Sequence, residues 1–175
     1  MRTVLAIAAV SMILAASVAQ AAALADLEPY TFLLGKWPSV GSGQPGQGSG
    51  AAEFTLSLQD RVIMRSSHAE YPATSDKPKS RHDDFMIIYA TSPAHVRADY
   101  YDSEGHLIHY VASAPAPGEA VFVSEPAPGE PIFRLSYKLD AGVLKGKFEM
   151  AAPNAPGDFK PYLSWESHKE GKPGK

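Results

Sequence analysis

Two short groups of polar residues carry the side-chain types that could do chemistry in this chain. His68 and Glu70 are two residues apart, so both side chains point to one face if this stretch is a β-strand. Asp102 and His106 flank a Gly-containing turn and come together if the chain reverses there. A histidine paired with a carboxylate can act as a general base, and two histidines with a carboxylate can hold a transition metal. The same groups at the mouth of a barrel can instead orient the polar end of a ligand.

The sequence favours a binding protein over an enzyme. There is no cysteine for a covalent mechanism and no Gly-x-Ser-x-Gly nucleophile motif, so the catalytic residues are unknown. The alternative is an isomerase, lyase or hydrolase that uses a His/carboxylate pair. Residues 41–46 match the dinucleotide pattern G-x-G-x-x-G, but Pro45 interrupts the match and the following residues alternate like a strand. We therefore expect no nucleotide site.

No metal and no cofactor are expected, although a metal site and a haem site stay open as alternatives. His106 and His109 are three residues apart and would point to opposite faces of a strand, so they are not a ligand pair. The C-terminal half offers no convincing proximal histidine for haem. The net charge of −3 and the lack of a basic cluster in the body of the chain argue against nucleic acid as a partner.

The N-terminus has the three-part layout of a secretory signal peptide. A positive start is followed by an apolar run at residues 4–18 and by the small-residue cleavage site Ala19-Gln20-Ala21. We expect residues 1–21 to be a signal peptide, residues 22–168 a single domain and residues 169–175 a disordered tail. The sequence therefore predicts an exported bacterial protein, periplasmic or secreted, with no membrane span after cleavage. The absence of cysteine suits a periplasm.

Beyond a short helix that ends before Gly35, apolar residues recur with the period of two that is typical of β-strands. Turn residues separate the strands. The pattern predicts an all-β fold, an antiparallel up-and-down β-barrel of about 8–10 strands with one short N-terminal helix. The predicted strands are residues 36–41, 52–58, 61–71, 82–91, 95–102, 106–112, 120–125, 132–139, 143–150 and 159–167.

The turn at residues 103–105 predicts how its two strands pair. If Asp102 opposes His106, then Tyr100 faces Ile108 and Ala98 faces Tyr110, which places these apolar residues on one inward face. On the earlier strand at residues 61–71, Val62 and Met64 indicate an inward face that continues through His68 and Glu70. Arg65 is then expected on the outer face, paired with a neighbouring carboxylate, whereas in the enzyme alternative Arg65 or Tyr110 could stabilise an anion.

A G-x-W motif, Gly35-Lys36-Trp37, follows the predicted helix and enters the first strand of the meander. In this arrangement the chain resembles the calycin superfamily, the lipocalin and fatty-acid-binding-protein barrels, and is most similar to bacterial exported lipocalin-like proteins of unassigned function. The resemblance implies that Gly35 and Trp37 close one end of the barrel. Residues 32–37 also resemble haem-binding barrels of the nitrobindin type, which is the source of the haem alternative.

These observations predict a protein that holds a small hydrophobic or amphipathic molecule in the barrel interior. A barrel packed solid, with a structural or interaction role, is the rival. The expected ligand-binding residues are Met64, His68, Glu70, Tyr100, His106, Tyr110 and Trp165. Further residues expected in the wall are Phe54, Phe85, Ile87, Phe133, Tyr137 and Phe148.

Overall fold

A computed structural model of the protein describes residues 25–39 and 48–171. The expected signal peptide and the glycine-rich match at residues 41–46 lie outside the described residues. In the described part of the chain, no helix is long and apolar enough to cross a membrane.

The protein is an antiparallel up-and-down β-barrel of ten strands preceded by one short helix, which confirms the predicted fold class. Each strand pairs with its neighbours in sequence, because short turns join consecutive antiparallel strands. The 3-10 helix spans Glu28–Leu33. The strands are β1 Gly35–Ser39, β2 Ser49–Ser57, β3 Val62–Tyr71, β4 Ser80–Ser92, β5 His95–Asp102, β6 Leu107–Ser113, β7 Glu119–Ser124, β8 Ile132–Asp140, β9 Val143–Ala151 and β10 Lys160–His168.

The barrel is nearly closed where β10 returns to β1. Just beyond β10, the Glu170 amide donates a 2.8 Å hydrogen bond to the Lys36 carbonyl. The side chains of the same two residues form an ion pair with 3.0 Å between nitrogen and oxygen. Lys169 and Glu170, which the sequence assigned to the tail, therefore contribute to joining the first and last strands.

The N-terminal helix covers one end of the barrel, which we call the closed end. Leu27 and Leu33 are fully buried there, and the ring of Tyr30 lies 6.1 Å from that of Phe122 on β7. Trp37 is buried beside the helix and its indole N–H donates a 2.6 Å hydrogen bond to the Leu33 carbonyl. The Lys169 ammonium lies 5.4 Å from the centre of the Trp37 ring, within cation–π range.

Aromatic side chains fill the interior next to this helix. Phe54, Tyr137, Phe122 and Tyr110 follow one another edge to face, with ring centres 5.6, 6.3 and 6.4 Å apart. Such spacings are those of well-packed aromatic pairs in protein cores. A ligand could enter this half of the barrel only by displacing these rings. The buried charged side chains Arg65 and Asp84 lie beyond these rings.

The faces predicted for β3 and β4 are wrong. Ile63 and Arg65 are buried on β3, and Met86 and Ile88 are buried on β4. Because side chains alternate along a strand, the outer face takes the residues between them. The expected wall and ligand-binding residues that lie on the outer face are Met64, His68, Glu70, Phe85 and Ile87.

The reason for the error is the chemistry of one residue. Arg65 carries a charge, and a charged residue in a strand is normally exposed. Here the barrel interior supplies partners for the guanidinium, so the apolar Ile63 and the charged Arg65 share the inward face. On the outer face, the Glu70 carboxylate forms ion pairs with Lys79 and Arg81, with nitrogen–oxygen distances of 2.8 and 3.3 Å.

Candidate functional site

The site lies toward the end of the barrel opposite the helix, which we call the open end. The turns β3–β4, β5–β6, β7–β8 and β9–β10 are all at this end. Where the aromatic core stops, Arg65, Asp84, Tyr100, Tyr110 and Tyr137 face one another inside the barrel, and we call these five residues the polar cluster. They come from strands β3, β4, β5, β6 and β8, so only the closed fold brings them together.

Arg65 is the centre of the polar cluster. Its side chain is only 7% exposed, and Nη2 donates a 2.5 Å hydrogen bond to Asp84 Oδ1. Nη1 donates a 2.7 Å hydrogen bond to the Tyr137 hydroxyl, and the guanidinium carbon lies 5.9 Å from the centre of the Tyr100 ring. Among the described residues, the Nε–H group of Arg65 has no hydrogen-bond partner. The interior therefore contains one buried donor that is free to bind another group.

The electrostatics of the cluster keep Arg65 charged and the tyrosines neutral. Burial acts to lower the pKa of Arg65, but Tyr137, Asp84 and Tyr100 outweigh it and the pKa is raised. Burial raises the pKa of Tyr137 to about 12, although the nearby guanidinium opposes the shift. Burial likewise raises the pKa of Tyr100 and of Tyr110. The three phenols are hydrogen-bonding groups at neutral pH, not anions.

His82 connects the polar cluster to the rim of the open end. Its Nε2 atom lies 3.1 Å from the Tyr100 hydroxyl and 3.6 Å from Asp84 Oδ2. On the other side of the ring, Nδ1 lies 2.6 Å from Glu104 Oε2 in the β5–β6 turn. The sequence reasoning missed His82. The available signal was its spacing of two from Asp84, which puts both side chains on one face of β4.

Asp102 and His106 meet across the β5–β6 turn as the sequence predicted. The predicted pairs Tyr100 with Ile108 and Ala98 with Tyr110 are both confirmed. Asp102 Oδ1 accepts hydrogen bonds from the amides of Glu104 and His106, and Oδ2 lies 2.8 Å from His106 Nδ1. Burial acts to raise the pKa of Asp102, but these hydrogen bonds lower it overall. Asp102 is thus an oriented carboxylate.

An aromatic wall on β8, β9 and the start of β10 faces the polar strands. The rings of Phe133 and Phe148 are stacked 5.6 Å apart, and Tyr162 lies edge-on to Phe148 at 6.1 Å. Deeper in the barrel, the Trp165 ring lies 6.0 Å from that of Tyr137. Both phenylalanines are only partly buried, so this wall is accessible from the open end. One side of the open end is aromatic and the other is polar.

The residues expected to bind a ligand are divided by the structure. Tyr100, Tyr110 and Trp165 pack in the interior, and His106 lies at the rim with its side chain 68% exposed. Met64, His68 and Glu70 do not line the interior because their face of β3 is outside. The important residues that sequence reasoning placed elsewhere or omitted are Arg65, Asp84 and His82.

Fold and site together define a nearly closed ten-stranded antiparallel barrel with one end filled by aromatic residues and a polar, partly open opposite end. No protein-family model matches the chain, and no curated protein matches it. The description of the class therefore rests on the barrel itself, which is consistent with a calycin-like fold.

Proposed function

We propose that this protein is an exported calycin-like barrel that binds a small amphipathic molecule at its open end. The observation that carries the proposal is Arg65, a buried guanidinium inside the barrel with one N–H group unpaired. A buried donor left without a partner costs about 1–3 kcal/mol, and a ligand that accepts from it recovers this cost. The polar end of the ligand would carry acceptor oxygens, and carboxylate or sulfonate are examples.

The charge balance of the cluster supports a polar head group. A guanidinium has five N–H donors, whereas Asp84 and Tyr137 together accept two hydrogen bonds. Asp84 offsets the charge of Arg65, so the pair can be buried without a ligand, and the remaining donors can still bind one. Tyr110 is near enough to the guanidinium to affect the pKa of Arg65, and its hydroxyl can both donate and accept.

The apolar end of the ligand would lie against the aromatic wall. Phe133 and Phe148 are accessible from the open end, and Trp165 continues the wall inward. The expected ligand is thus shorter than a long hydrocarbon chain, because such a chain would have to displace Phe54 and Phe122 in the filled half. The sequence-based expectation was a largely apolar ligand in the barrel interior, with its polar end oriented by His68, Glu70 and His106.

Two fluorescent probes of nearly equal size, one anionic and one uncharged, test the proposal. 8-Anilinonaphthalene-1-sulfonate carries an anionic group, and N-phenyl-1-naphthylamine is its uncharged counterpart. Titration of residues 22–175 should show that the sulfonate binds at least about tenfold more tightly, because a charge-assisted hydrogen bond to Arg65 is roughly twice as strong as a neutral one. Arg65→Met should remove this difference.

Arg97→Met is the matched control. Arg97 lies on the outer face and pairs with Glu125, so its replacement removes an arginine–carboxylate ion pair at the surface without changing the interior. If Arg65→Met does not fold, the Nε–H resonance of Arg65 in the wild-type protein gives the same test and should shift when the sulfonate is added. Equal affinity for the two probes, or a resonance that does not move, would sink the proposal.

A further inference from the structure

We propose that His82, Asp102 and Glu104 form a binding site for a divalent transition-metal cation such as Zn²⁺ at the rim of the open end. One nitrogen or oxygen atom from each residue lies within 4.8 Å of the others. Imidazole nitrogen and carboxylate oxygen are ligands that zinc takes in proteins. The proposal does not depend on the binding of an organic molecule at Arg65.

The three ligand atoms lie within 4.8 Å of one another, so side-chain movement is needed to bring them to the spacing of a tetrahedral ion. Zinc holds such ligands at about 2.0–2.2 Å, which separates neighbouring ligand atoms by about 3.3–3.5 Å. The His82 Nδ1 to Glu104 Oε2 distance is 2.6 Å, so this pair would open slightly when an ion enters. Glu104 sits in the turn with a half-exposed side chain and can make this movement. Three protein ligands leave a fourth position of the ion open.

The groups that lie next to His82 Nε2 are of the kind that support a histidine ligand of a metal. If Nδ1 binds the ion, the ring proton is on Nε2, which lies 3.1 Å from the Tyr100 hydroxyl and 3.6 Å from Asp84 Oδ2. A ligating histidine commonly donates its other N–H to an oxygen acceptor, which fixes the ring and makes it a stronger ligand, and here that acceptor is the Tyr100 hydroxyl. Asp84 is itself fixed by Arg65. The polar cluster therefore holds the imidazole in place.

Asp102 is fixed by a separate set of hydrogen bonds. Two backbone amides of the turn hold Oδ1, while Oδ2 is close to the His106 ring and to the Tyr100 hydroxyl at 2.8 and 3.3 Å. Oδ2 can exchange one of these neighbours for an ion without loss of the backbone contacts. Two of the three ligands are thus oriented before an ion binds, and Glu104 closes over it.

Zinc chloride and cobalt chloride, each added to chelator-treated, untagged residues 22–175, test the site. We expect one Zn²⁺ per chain by calorimetry, a rise in melting temperature, and visible absorption bands of protein-bound Co²⁺. His82→Ala should weaken Zn²⁺ binding by at least about tenfold, since even the loss of a residue that only hydrogen-bonds to a metal ligand typically costs about 10–100-fold. His109→Ala is the matched control, because His109 Nδ1 is also 2.6 Å from a carboxylate, that of Asp99, at an exposed position where the described residues supply no third ligand.

Glu104→Gln provides a second variant at an exposed position of the turn, where loss of one charge does not disturb the core. It should also weaken Zn²⁺ binding, with an unchanged circular dichroism spectrum. Weak binding of several ions per chain, full affinity in both site variants, or an equal loss in His109→Ala would each overturn the proposal.

Discussion

The Nη1 atom of Arg65 donates a 2.7 Å hydrogen bond to the hydroxyl of Tyr137, a residue 72 positions later in the chain. This contact crosses the interior from β3 to β8 and, with the Arg65–Asp84 pair, places a charged network at the inner limit of the aromatic core. Arg65 and Tyr137 lie on strands that are five positions apart around the barrel, whereas Asp84 is on β4, next to β3. Formation of the network therefore requires the barrel to be assembled.

The Arg65–Asp84 pair predicts strongly non-additive effects on stability. Asp84→Asn leaves a buried guanidinium without its anion and should lower the free energy of unfolding by about 3–5 kcal/mol. Arg65→Met leaves Asp84 buried without its cation and should also be costly. The double variant Arg65→Met/Asp84→Asn removes both charges, so urea unfolding should show a loss well below the sum of the single losses.

The ion pair between Lys145 and Asp140 provides the control. Both side chains are about half exposed and their atoms are 2.8 Å apart. Asp140→Asn should therefore change the free energy of unfolding by less than about 1 kcal/mol. The assignment of a buried network would be contradicted if the losses in free energy of unfolding at Arg65 and Asp84 were additive and as small as that expected at this surface pair.

Because Tyr137 is buried, we predict that the free energy of unfolding falls at alkaline pH. Its pKa is 10.0 in a model compound and about 12 in the folded protein, because burial disfavours the phenolate. Between these values the folded state keeps a proton that the unfolded state has lost, so stability is complete below pH 10 and declines as the pH rises toward 12. Two pKa units correspond to about 3 kcal/mol.

Urea unfolding at a series of alkaline pH values measures this decline, and tyrosinate absorbance reports the ionisation directly. The raised pKa values of Tyr100 and Tyr110 add to the decline in the wild-type protein. In Tyr137→Phe the slope of stability against pH should become shallower over this range. An unchanged slope would show that Tyr137 does not ionise with the raised pKa.

The sequence predicted the strands and one register because both depend on neighbouring residues. Alternation within a strand and a turn such as residues 103–105 are local, and the pairing of Ala98 with Tyr110 follows from them. The inward face of β3 could not be predicted in this way. Val62 and Ile63 are both buried, so apolar character does not decide the face, and the partners that allow Arg65 to face inward lie 19 and 72 residues away.

We predict that the packing at Gly146 does not tolerate the addition of a single methyl group. A Cβ added there would overlap the Trp165 ring, which lies directly on the glycine across the β9–β10 pair. Gly146→Ala should push this ring away from Tyr137 and lower the free energy of unfolding by about 1–3 kcal/mol. Gly171→Ala is the control because nothing lies within 4 Å of its added Cβ. Equal melting temperatures for the two variants would contradict this packing.

Removal of the residues just after β10 measures how much barrel closure contributes to the free energy of unfolding. Truncation after His168 removes the Glu170 amide that binds the Lys36 carbonyl and the Lys169 ammonium that lies over Trp37. One backbone hydrogen bond and one cation–π contact contribute about 0.5–1.5 and 0.5–1 kcal/mol. Truncation after Gly171 keeps both contacts and is the matched control. The chain truncated after His168 should unfold at a lower urea concentration, and its β1 amides should exchange hydrogen faster. Identical behaviour of the two truncated chains would mean that these contacts do not hold β1 to β10.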